Sequence, residues 1–220
     1  MKAYGIDINP RMIQYNAAIR QKGDVARLLV NIVRFLNVLG IPPQLDSLTK
    51  NWSEDYIRLV LYIEKMSRVF ICEREKIHTF QFPFQIIIEE DRCVVLFEGE
   101  HITSSTCSVL SSVFEELSED ESLEAVLEKY WEIVSDLEIS MQDNKMCGKL
   151  ITFLLSFEAG YLRFDIDELN ANGKMHPKEH LDINYSTGCT FKLGLSKELN
   201  YSELIDILNI NTACHYLHNA

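Results

Sequence analysis

A chain of 220 residues with 47% hydrophobic and 25% charged side chains has the length and composition to bury a core. No apolar run approaches the roughly 18 to 20 residues that a bilayer-spanning helix needs. The opening residues MKAYGIDINPRM lack the apolar stretch of a secretory signal, so a cytoplasmic protein with no membrane association is expected. The formal net charge of −12 opposes non-specific nucleic-acid binding but leaves room for a small basic site that grips RNA or DNA locally.

The first seventy or so residues read as helical. Pro10 suits the first turn of a helix through Gln21, ended by Gly23. Asp24 then caps a helix whose Val25, Leu28, Leu29, Ile32, Val33, Leu36 and Leu39 follow the 3.6-residue period until Gly40 and Pro42 stop it. A third helix is expected from Ser53, with Tyr56, Leu59, Val60, Ile63 and Met66 as its buried stripe. Trp52 and Trp131 fall at helical core positions.

Residues 69–75, 79–89 and 93–98 are rich in β-branched and aromatic side chains and predict strands, with Pro83 marking an edge or a break. Helices are predicted over 105–117 and 122–139. The second sets Leu123, Val126, Leu127, Tyr130, Val134 and Leu137 against an acidic stripe of Glu121, Glu124, Glu128, Glu132 and Asp136. That stripe suits a solvated helix face or a docking surface for a basic protein partner. Leu150 to Phe157 predicts an apolar strand, followed by strands through 161–167, 180–185 and 189–193 and a last helix started by Asn200 or Ser202. The expected class is α+β: a helical N-terminal part with an antiparallel β-sheet and helices packed on one face. A single domain over 1–220 is expected, with 1–68 as a helical subdomain and 69–220 as the sheet and its helices. The six cysteines are scattered without a CxxC pair, which suits reduced, mostly buried thiols rather than a zinc site.

The segment 161–195 carries the chemistry. Leu162, Phe164 and Ile166 alternate with Arg163, Asp165 and Asp167; Leu181, Ile183 and Tyr185 with His180, Asp182 and Asn184; Cys189, Phe191 and Leu193 with Thr190 and Lys192. Strand side chains alternate between faces, so pairing these runs gathers the polar set on one side of a sheet. His176, held extended by Pro177, lies in the loop leading to His180. In this expectation His176 and His180 share acid-base work, Arg163 and Lys192 bind phosphate, and Asp165 and Asp182 orient them. The same charges also suit ion pairs across an ordinary solvated sheet. A metal reading uses His180 with Asp182 or Asp165. The sequence has neither an HxH pair nor a dense carboxylate cluster, and Thr190 stands where nucleases with a DxK or ExK strand carry an acid, so no metal and no cofactor is expected. Gly-rich nucleotide-binding motifs are absent.

Tyr161, Arg163, Asp165, His176, Pro177, His180 and Leu181 form an aromatic-x-Arg-x-Asp strand followed by a His-Pro-x-x-His-Leu motif and a closing helix. This order resembles an uncharacterised bacterial family, the domain of unknown function numbered 2290, over about sixty residues. The chain carries Asp182 where many members carry a second His. The RxD and paired-His pattern also resembles small bacterial toxin families thought to cut RNA. Together these features imply a bacterial phosphodiester hydrolase, a toxin or phage-defence effector. The competing expectation is a non-enzymatic interaction protein, an antitoxin or accessory subunit, that uses the acidic stripe.

Overall fold

The computed structural model describes residues 2–15, 18–45, 56–63, 66–115, 117, 122–185 and 189–216. The α+β class holds: among the described residues five helices accompany a seven-stranded antiparallel sheet and a three-stranded one. In chain order the elements are β1 (Lys2–Ile8), a 3-10 turn (Pro10–Ile13), α1 (Lys22–Leu39), β2 (Ile57–Ile63), β3 (Arg68–Cys72), β4 (Lys76–Gln81), β5 (Gln85–Ile88), β6 (Cys93–Phe97) and β7 (Glu100–His101). There follow α2 (Ser104–Glu115), α3 (Leu123–Ser135), α4 (Met141–Ser156), β8 (Leu162–Ile166), β9 (Glu179–Ile183), β10 (Phe191–Gly194) and α5 (Tyr201–Leu208). The large sheet runs β1-β2-β3-β4-β8-β9-β10, and the small one β5-β6-β7.

The helical start is corrected by the structure. Lys2–Ile8 pairs with Ile57–Ile63, so residues 1–68 contribute two strands to the main sheet rather than a helical subdomain. The expected third helix fails because Ile57, Leu59 and Leu61 are buried on one face of β2 while Val60 and Tyr62 are buried on the other. A strand covered on both sides is an almost continuous apolar run, and over seven residues such a run also matches a helical stripe. Ser53 and Trp52 lie outside the described residues. The first predicted helix shrinks to the 3-10 turn capped by Asn9. The start of α1 also shifts: the helix begins at Lys22 with Gln21 as its N-cap, and Asp24, expected as the cap, is its third residue, whose carboxylate accepts from the backbone N–H groups of Arg20 and Gln21 at 2.9 and 3.2 Å.

Leu150–Phe157 is also corrected, from strand to the second half of α4. Ser140 caps that helix by accepting from the Asp143 N–H, and Met146, Cys147, Leu150, Ile151 and Leu154 form one buried stripe. On α3 the expected core partly inverts. Val126 and Tyr130 are buried, whereas Leu123, Leu137 and Trp131 are exposed, Trp131 by 58%.

Helices α1, α2 and α4 share a core with one face of the main sheet, through residues such as Leu29, Leu110, Leu154, Leu59 and Ile71. The opposite face is not bare, as a one-sided arrangement requires: Leu199, Tyr201 and Leu204 of the α5 segment cover Phe70, Leu162, Phe164 and Leu181. Burying each such aliphatic or aromatic side chain contributes roughly 1.5–3 kcal/mol before conformational entropy is charged against it. Cys72, Cys93, Cys107 and Cys147 are buried, and all six cysteines are free. Among the described residues no helix is long and apolar enough to cross a membrane.

Candidate active site

The register of four strands assembles the site. Across β4, β8, β9 and β10, His78 lies opposite Arg163, Arg163 opposite Asp182, and Asp182 opposite Lys192. In the next row Lys76 faces Asp165, Asp165 faces His180, and His180 faces Gly194. Directly opposed residues of antiparallel strands share a face. His78 also shares its face with Ile71 and Phe80, so the charged rows continue the helix-covered side of the sheet beyond the apolar core. The expected alternation therefore holds through Arg163, Asp165, His180, Asp182 and Lys192. It breaks at Asn184, whose left-handed φ of 67° ends the strand and turns Tyr185 against Tyr161, at a ring distance of 5.6 Å. Asp167 stays apart as well, its carboxylate accepting from Asn170.

Asp165, His180 and Asp182 are buried, at 4%, 0% and 6% exposure, while the Arg163 and Lys192 side chains reach solvent. The Arg163 guanidinium donates to Asp165 at 2.6 Å and also to Asp182. Lys192 Nζ donates to Asp182 Oδ1 at 2.7 Å and to His180 Nε2 at 2.9 Å. An ammonium has only protons to offer, so Nε2 is the bare nitrogen of the ring. The other nitrogen, Nδ1, donates to the Pro177 carbonyl at 2.9 Å, and these two partners assign the tautomer. Burial alone would lower the Arg163 pKa, but Asp165 and Asp182 outweigh it and raise it, so the guanidinium is firmly cationic.

His176 meets the His180 ring edge-on, with centroids 4.9 Å apart and planes at 70°. The two imidazoles are thus in direct contact rather than set apart. Strand pairing also sets one imidazole and two carboxylates close together. Donor atoms of Asp165, His180 and Asp182 all lie within 4.8 Å of one another. Neighbouring strands bring together residues that sequence spacing keeps apart.

A buried extension was missed in the sequence. His78 Nδ1 lies 2.8 Å from the Tyr161 hydroxyl, His78 Nε2 lies 3.6 Å from Glu73, and the Tyr15 hydroxyl donates to Glu73 at 2.5 Å. Burial pushes the Tyr15 and Tyr161 hydroxyls well above their ordinary pKa. The same effect would raise Glu73, but His78 and the Tyr15 hydroxyl outweigh it and hold the carboxyl below its usual range. A histidine inside the apolar run KIHTFQ was the available signal; its partners on β8 and in the N-terminal segment were not readable locally.

The acids of α3 form no part of this site. Glu124, Glu128, Glu132 and Asp136 are exposed, and Glu121 lies outside the described residues. A separate cleft of about 550 Å³, lined by residues including Tyr4, Tyr62, Phe84 and Ile88, contains none of the charged rows. Comparison of the chain with protein-family models, curated proteins and solved structures returns no match.

Proposed function

We propose that the chain is a phosphodiester hydrolase acting on RNA or DNA. The supporting observation is the meeting of solvent-reaching Lys192 with the bare Nε2 of a histidine whose tautomer is held by Pro177, beside a second solvent-reaching cation, Arg163, on the adjoining Asp165 and Asp182. In this reading Arg163 and Lys192 bind the phosphate and stabilise the charge that builds on it. Nε2 of His180 takes the proton of the attacking hydroxyl, and Asp165 and Asp182 stabilise the imidazolium that results. His176, in ring contact with His180, supplies the second proton-exchanging group. A bacterial toxin or phage-defence role rests on the resemblance carried by Tyr161, Arg163, Asp165, His176, Pro177, His180 and Leu181.

The test is cleavage of RNA, single-stranded and duplex DNA by the purified chain beside His180→Ala and Lys192→Ala. Each variant is expected to lose at least about 100-fold in rate, the low end of what a positioned acid-base group contributes. A folded His180→Ala protein that cleaves like the parent overturns the reading.

A second reading has its own observation. Glu124, Glu128, Trp131 and Glu132 share one exposed face of α3, an aromatic among acids, which fits a basic protein partner. Reversing Glu124, Glu128 and Glu132 to Lys should abolish co-purification of that partner and leave cleavage intact; undiminished recovery of the partner rejects it.

A further inference from the structure

Three features of the Asp165–His180–Asp182 cluster point to a metal ion. The three donors come from two buried strands, with His180 Nε2 at 3.6 Å from Asp165 Oδ2 and 3.7 Å from Asp182 Oδ1. Metal bonds of roughly 2.0–2.2 Å fit such a triangle after a small contraction. His180 turns its bare Nε2 into the triangle and anchors Nδ1–H on a backbone carbonyl, the arrangement by which metal-bound histidines are oriented. Independently, Asp165 Oδ1 is buried without a hydrogen-bond partner, on a residue 4% exposed. A carboxylate oxygen left in that state is costly unless a cation meets it.

The cation seen at these donors is Lys192, whose Nζ touches Asp182 Oδ1 and His180 Nε2 together. Its side chain is 35% exposed on a flexible four-carbon stem, so it can swing out toward solvent. We propose that Asp165, His180 and Asp182 form a site for one divalent cation of the Mn²⁺ or Zn²⁺ class, and that Lys192 is its built-in competitor. One imidazole and two carboxylates suit that class of ion. With the ion in place, two carboxylate charges meet the ion and Arg163, giving a surplus of one positive charge, and the displaced Lys192 joins Arg163 at the mouth. That is a cationic seat for a phosphate; with the lone pair of His180 Nε2 on the ion, an ion-activated water would replace that nitrogen in supplying the nucleophile, and this use of the ion rests on the hydrolase reading. Binding of the ion does not.

The experiment is a titration of the chelator-treated, dialysed full chain with Mn²⁺, following the free-ion signal by electron paramagnetic resonance. One equivalent is expected to bind saturably. Lys192→Met should bind about tenfold more tightly, since the competitor is gone while the donors stay. Asp182→Asn and His180→Gln should lose saturable binding, with circular dichroism checking that they are folded. The gain in Lys192→Met cannot come from misfolding. Absence of saturable binding in both the parent and Lys192→Met overturns the proposal, as does unchanged binding in a folded Asp182→Asn. A chain that binds Mn²⁺ but cleaves no nucleic acid keeps the ion site and loses the hydrolase reading. Cleavage in chelator without binding does the reverse.

Discussion

Gly194 faces His180 across the β9–β10 pair and leaves the space that Pro177 fills: a Cβ on Gly194 would lie 2.7 Å from Pro177 Cγ. The proline ring cannot rotate away, so the glycine is needed for Pro177 to rest on β10 with its carbonyl aimed at His180 Nδ1. Gly194→Ala is therefore expected to cost about 1–3 kcal/mol, the range of overpacking, and to impair cleavage beyond that by freeing the His180 ring. Gly148→Ala is the contrast. It lies in α4 with nothing within 4 Å of the added Cβ and should stabilise by about 0.5–1 kcal/mol. Urea unfolding of the two variants checks both signs.

The two cations should differ sharply in their contribution to stability. Arg163 is 26% exposed and bonds both buried carboxylates, so Arg163→Met strands Asp165 and leaves Asp182 to Lys192 alone; it should cost about 3–5 kcal/mol, toward the lower value because solvent reaches the guanidinium. Lys192, at 35% exposure, should cost no more than about 1 kcal/mol on truncation to Met. Equal losses in chemical denaturation would contradict the placement of Arg163 as the main counter-ion.

Glu73 predicts an acid-sensitive contribution. Its carboxyl is held below the ordinary value of 4.5 by His78 and Tyr15 against the effect of burial. A carboxyl depressed in the folded state binds its proton more readily when unfolded. Its stabilisation is fully present above pH 4.5 and is lost as pH falls from there through the folded value. Glu73→Gln should lower stability at neutral pH and flatten the pH dependence in that acid window. Urea midpoints for both proteins across the window decide it; parallel curves would reject the assignment.

The back of the site rests on α5. Leu204 is fully buried against the apolar sides of β8 and β9, and Asn200 and Glu203 close a reciprocal cap on the helix, with bonds of 3.0 and 2.9 Å. Leu204→Ala should cost about 2–5 kcal/mol and Asn200→Ala about 1 kcal/mol, read from thermal unfolding. An unchanged melting temperature in Leu204→Ala would mean that α5 does not pack on the sheet.

The site strands were legible because alternation is a local property. Leu162, Phe164 and Leu181 against Arg163, Asp165, His180 and Asp182 sort onto two faces wherever a strand forms, and the structure keeps that sorting until Asn184 adopts its left-handed turn. Short apolar runs were not legible in the same way. Ile57–Ile63 and the end of α4 both match strand and helix patterns, and the choice is made by what covers them: two cores around β2, one around α4.

The α+β class, the start of the last helix at Asn200 or Ser202, and the residue types that face one side of β8, β9 and β10 follow from the amino-acid order alone. Long-range packing sets the rest: that His78 joins Arg163, that donor atoms of Asp165, His180 and Asp182 come within 4.8 Å of one another, and that the His176 ring rests against His180. Faces follow from each strand's own period of two, whereas neighbours follow from register, which is set by packing between segments far apart in the chain.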